Sequence, residues 1–127
     1  MTPNTRFLIV DSEPRVRSMV AEWLRSRQFI VAEAGTAGEA LDQMAEDAAE
    51  IVVCDTGLAD RDGIWLARQM RRQFPQTALV ITTGSGGTPS PSTLDSNAIG
   101  YLPKPFTEQQ LMQTVDWALR WRRANGG

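Results

Sequence analysis

Short, wholly apolar runs alternate along this chain with stripes of helical spacing, and several of the runs stop abruptly on a polar side chain. Phe7-Leu-Ile-Val10 ends at Asp11, as a strand buried on both faces does. From Pro14 the period changes: Val16, Met19, Val20, Trp23 and Leu24 share one helix face, and Pro14 suits the first turn. Phe29 to Ala34 reads as a second strand. Thr36 and Glu39 form a capping-box pattern ahead of Ala40, Leu41 and Met44, a short second helix. Ile51-Val-Val-Cys54 is a third buried strand and ends at Asp55. Asp62-Gly63 signals a turn, and Ile64, Leu66, Ala67 and Met70 mark a third helix closed by Arg71 and Arg72. Ala78 to Ile81 and Gly100 to Pro103 read as strands four and five. Thr107 caps a last helix carrying Leu111, Val115 and Ala118. This strand-helix order predicts an α/β fold with a parallel sheet and helices on both faces. Pro103 cannot donate to a ladder, so strand five belongs at an edge.

Composition removes many chemistries. Histidine is absent from all 127 residues, which excludes Ser-His-Asp and Cys-His catalysis, histidine metal ligands and a phosphohistidine donor. One cysteine, Cys54, makes neither an internal disulfide nor a cysteine zinc site; it reads as a small core residue. A net charge of −2 and a pI near 5.1 supply no basic field for nucleic acid. The N-terminus lacks the apolar core of a signal peptide, and no run approaches the ~20 apolar residues of a membrane span. The expectation is a single cytoplasmic domain over 1–127, without nucleic-acid or membrane partners.

In an open parallel sheet, ligands gather beyond the carboxyl ends of the strands, where the strand order reverses. Asp11, Asp55, Thr83 and Lys104 all stand at such ends. With Leu8-Ile-Val-Asp11 before Glu13-Pro14, Asp55 eight residues ahead of Gly63, Thr83-Gly84, and Gly100-Tyr101 running into Lys104-Pro105-Phe106, nearly the whole chain resembles the receiver domain of bacterial response regulators. The resemblance implies a doubly wound five-stranded sheet in the flavodoxin-like order 2-1-3-4-5. It makes Asp55 the acceptor of a phosphoryl group from a sensor histidine kinase. Asp11, Asp55 and the Gly57 backbone carbonyl become Mg²⁺ ligands, with Glu13 a weaker candidate. Lys104, after which a cis bond to Pro105 is expected, becomes the fixed cation at the phosphoryl oxygens. Thr83, rather than its neighbour Thr82, and Tyr101 become a switch pair. On this reading the chain is a two-component phosphoprotein of the phosphorelay and not an enzyme, at most catalysing its own phosphorylation and dephosphorylation. No output domain is expected on this reading, and signalling is expected to run through protein contacts to a downstream target or a phosphotransfer protein.

Departures from the family pattern temper this reading. Ser12 stands where a second acid is usual, so weak Mg²⁺ binding is expected, since a neutral hydroxyl competes poorly with water for a hard cation. Ser12 also suits a cap-region role at the first helix. Ala59 replaces the proline usual in the acceptor loop. Gly84-Ser-Gly-Gly-Thr-Pro-Ser-Pro-Ser92 falls where the helix between strands four and five is due, leaving that helix short or absent, a turn or two from Thr93 to Ala98 at best. Trp117 and Trp121, four apart in the last helix, form a candidate partner or homodimer surface, or else cover that helix against a neighbouring loop. Asp60 and Asp62 read as solvated turn carboxylates. A rival class is a degenerate receiver, an interaction or dimerisation module independent of phosphorylation. A flavin domain of similar architecture fits less well, because Ser12-Glu-Pro-Arg-Val is no glycine-rich phosphate cradle.

Overall fold

The computed structural model describes residues 4–84 and 100–125. Its elements run β1 (Arg6–Val10), α1 (Pro14–Arg25), β2 (Ile30–Ala34), α2 (Ala37–Glu46), β3 (Ile51–Asp55), α3 (Gly63–Gln73), β4 (Ala78–Thr83), β5 (Gly100–Pro103) and, as the last described helix, α4 (Glu108–Ala124). The strands form one parallel sheet in the order β2-β1-β3-β4-β5, the flavodoxin-like order expected. The expectation for the helix between strands four and five falls on residues outside those described.

Side-chain alternation along the strands divides the core in two. Leu8 and Val10 of β1, Val52 and Cys54 of β3, and Leu79 and Ile81 of β4 pack on one face with Ala40 and Met44 of α2 and Leu66 and Met70 of α3. Phe7, Ile9, Ile51, Val53, Ala78 and Val80 face the other way, against Val20 and Leu24 of α1 and Leu111, Val115 and Ala118 of α4. This two-sided burial is why the strands read as continuous apolar runs. β5 pairs only with β4, so Pro103 lies on an edge strand, where its missing N–H leaves no central ladder broken.

Capping follows the local sequence. Thr36 accepts a hydrogen bond from the Glu39 amide, and Thr107 and Gln110 complete a reciprocal capping box at α4. α1 starts differently: Glu13 occupies the cap position without a side-chain bond, and Pro14 opens the helix. Ser12 therefore does not cap α1; its hydroxyl points elsewhere. Gly63 explains the eight-residue spacing from Asp55. Its amide donates to the Thr56 carbonyl at 3.0 Å, and a Cβ there would stand 2.0 Å from the Asp55 carbonyl oxygen. No described helix is long and apolar enough to cross a membrane.

Candidate functional site

Between β1 and β3 the direction of winding reverses, which opens a crevice beyond the sheet's carboxyl edge. Ladder bonds run one residue past the strands there. The Asp11 amide donates to the Ala34 carbonyl, Thr56 to Thr82, and Lys104 to Thr83 at 2.8 Å. The backbone thus fixes Asp11, Asp55 and Lys104 at one edge, although 93 residues of sequence separate Asp11 from Lys104. The Lys104–Pro105 bond is cis, as expected.

The side chains converge. The Lys104 ammonium lies 2.9 Å from Asp11 Oδ2, 3.4 Å from Asp55 Oδ1 and 3.5 Å from Glu13 Oε1. Asp11 and Asp55 are buried, at 3% and 5% exposure, whereas the Glu13 side chain is 65% exposed and reaches the lysine from outside. Asp11 Oδ1 accepts the Glu13 amide at 2.8 Å. From α1, Arg17 donates to the Asp11 carbonyl at 2.8 Å and so braces the end of β1. Burial and the neighbouring Asp11 charge raise the Asp55 carboxyl above its usual range, against the opposing pull of Lys104 and the Gly57 amide. Burial lowers Lys104, but its bond to Asp11 and the surrounding acids outweigh this and hold it above its ordinary value. The Cys54 thiol is pushed up, first by burial and then by Asp55 and Asp11, as befits an inert core residue.

This arrangement sets a pH dependence. A carboxyl whose native pKa lies above its unfolded value binds more protons when folded, so stability falls as pH rises between the two values. Ionised Asp55 therefore costs stability near neutral pH. Asp55→Asn is expected to raise the thermal midpoint at pH 7, with the gain shrinking as the solution is acidified. A midpoint lowered at every pH would show that the Lys104 contact outweighs burial and repulsion.

Thr83 and Tyr101 meet directly, their hydroxyls 3.0 Å apart. Thr82 is buried at 2% in register with Asp55 and Leu102, so the two adjacent threonines have different surroundings. The two C-terminal tryptophans part company. Trp117 is 67% exposed and lines a cavity of about 280 Å³ with Gly100, Tyr101 and Thr114. Trp121 packs against the core, with the Arg71 guanidinium 5.3 Å from its ring centroid. The two therefore do not present one exposed surface.

Two loop residues do more than local sequence indicated. Asp60 is no free turn carboxylate: its Oδ1 and Oδ2 accept the Ala37 and Gly38 amides at 2.9 and 3.0 Å, clamping the N-terminus of α2 from the β3–α3 loop. Those amides hold the Asp60 carboxyl below its usual range. Asp62 caps α3 through the Ile64 amide at 2.7 Å. Ser12 donates to the Gly57 carbonyl at 3.2 Å and joins the β1–α1 loop to the β3–α3 loop.

A doubly wound parallel sheet with two buried carboxylates and a lysine at its switch point defines a class of α/β domain that presents an acidic pocket at the strand ends. The model of the response regulator receiver domain matches residues 7–116, and the chain belongs to that family. It is 36% identical over 111 residues to the sensor kinase CckA of Brucella abortus, covering 85% of this chain and 12% of that protein. It is 33% identical over 116 residues to the response regulator MprA of Mycolicibacterium vanbaalenii, covering 91% and 50%. The crystal structure of a CheY-like receiver domain protein from Methanospirillum hungatei JF-1 superposes with a TM-score of 0.88 at 24% identity, over 97% of this chain and 99% of that one, which shows the shared fold. The chain spans 12% to 50% of the length of the curated relatives it matches.

Proposed function

We propose that Asp55 accepts a phosphoryl group from the phosphohistidine of a sensor histidine kinase, and that the phosphorylated domain signals through protein contacts. The convergence of Asp11, Asp55 and Lys104 at one strand edge carries this reading. An Asp55 carboxylate oxygen attacks phosphorus, the P–N bond breaks, and its electron pair leaves on the kinase imidazole, which takes a proton. The product is an acyl phosphate. Lys104 meets the charge that develops on the phosphoryl oxygens, and Asp11 holds the ammonium in place. The Thr83 hydroxyl exchanges Tyr101 for a phosphoryl oxygen, which frees the ring to report the event beside Trp117.

The donor set fits Mg²⁺. Asp11, Asp55 and the Gly57 carbonyl are hard oxygens, and this ion takes one or two carboxylates together with phosphate and water. When bound, Mg²⁺ would offset the repulsion between the incoming phosphoryl group and the acids. Among the described residues no group of three acidic, cysteine or histidine side chains is placed to hold a metal.

Incubation with Mg²⁺ and acetyl phosphate is expected to add one phosphoryl mass, and Asp55→Asn to prevent it. A wild-type protein that stays unmodified across a wide range of Mg²⁺ would instead support a phosphorylation-independent interaction module.

A further inference from the structure

We propose that Ser12 is a positioning residue that opposes cation entry by holding the Gly57 carbonyl, a neutral oxygen beside the two carboxylates. This rests on the reading of Asp11, Asp55 and Gly57 as cation ligands, and concerns what those oxygens do before a cation arrives. Each is engaged by a donor of the chain itself. Gly57 O takes the Ser12 hydroxyl at 3.2 Å. Asp11 Oδ1 takes the Glu13 amide at 2.8 Å, and Asp11 Oδ2 the Lys104 ammonium at 2.9 Å. Asp55 Oδ1 faces the same ammonium at 3.4 Å. At rest these four oxygens are held by internal contacts, with Lys104 as counter-ion and Ser12 as the tie between loops 45 residues apart.

The Gly57 carbonyl has two lone pairs, and a divalent ion that approaches along the one held by the Ser12 hydroxyl must displace that bond. The hydroxyl does not repay this as a ligand, because it is neutral and water replaces it readily around a hard cation. An acid at the same position would repel the carbonyl and attract the ion, so serine reverses the sense of the contact. Ser12 thus affects binding in two separable ways: it lacks a charge, and it occupies a carbonyl.

Alanine separates the two. Mg²⁺ affinities of wild type, Ser12→Ala and Ser12→Asp are measured by isothermal titration calorimetry. In parallel, the amide resonance of Leu58, whose peptide unit carries the Gly57 carbonyl, is followed by NMR. Ser12→Ala is expected to bind Mg²⁺ about two- to tenfold more tightly, the range that one neutral hydrogen bond supports. Its metal-free Leu58 resonance is expected to move toward the Mg²⁺-loaded position of wild type, and Ser12→Asp to tighten binding further. Weaker binding by Ser12→Ala would make Ser12 a ligand and overturn the proposal. Unchanged affinity with a stationary Leu58 resonance would also overturn it, leaving only the missing charge. Binding by Ser12→Asp alone would refute the carbonyl hold while sparing the ligand assignment. Failure of all three to bind would refute that assignment itself.

Discussion

Replacing Lys104 by methionine is expected to slow phosphorylation of Asp55 by acetyl phosphate about 10²-fold, the scale of losing one preorganised charge from a developing oxyanion. Methionine keeps much of the apolar stem and removes only the ammonium that joins Asp11 to Asp55. The same change leaves two buried carboxylates facing each other without their cation. Stability at pH 7 is therefore expected to drop and to recover on acidification, because protonating Asp55, whose carboxyl burial already raises, removes the repulsion. Mass spectrometry over time gives the rate, and thermal unfolding at several pH values gives the second effect. An unaltered labelling rate would mean that the lysine plays no part in transfer.

The second large effect is structural. Gly63→Ala is expected to destabilise the fold by ~3 kcal/mol, the upper end of what overpacking costs. The new Cβ would lie 2.0 Å from the Asp55 carbonyl oxygen and 2.7 Å from the Thr56 Cα. Both are backbone atoms at the core of the sheet, so neither can turn aside as a side-chain tip does. The start of α3 must instead lift from β3, and the Gly63–Thr56 hydrogen bond and the Asp62 cap go with it. Gly84→Ala is the control: a Cβ there meets nothing within 4 Å among the described residues, and a change within about 0.5 kcal/mol is expected. Urea unfolding of both variants decides the matter, and equal stability of the pair would show that α3 does not press on the strand end.

These two residues illustrate what could be read before any coordinates. Lys104 and the aspartates were legible because each terminates an apolar run, and a parallel sheet brings the ends of its strands to one edge. Gly63 was legible as a spacing, although its reason, contact with the Asp55 carbonyl, is visible only in the fold. Spacing alone distinguishes Thr82 from Thr83 in the sequence, and in a strand a one-residue step sends a side chain to the opposite face.

Contacts between loops were not legible. Asp60 resembles any turn carboxylate, and nothing in its neighbourhood announces the two amides of α2. Ser12 lies beside Asp11 in sequence but meets a carbonyl 45 residues on. Trp117 and Trp121 share a helical stripe, yet the bulk of the core and Arg71 claim only the second. Periodicity reports which face of an element is apolar; it carries no signal for which loop lies opposite.

Lys104 is also the single lysine of this sequence, and its side chain is 14% exposed within the acid cluster. Selective isotopic labelling of lysine would therefore yield one ammonium signal from the pocket, with no assignment to make. Its frequency would follow whichever anion surrounds it, carboxylate or phosphoryl oxygen, and would shift when a magnesium ion draws those oxygens away, so the protein carries its own spectroscopic gauge of the site.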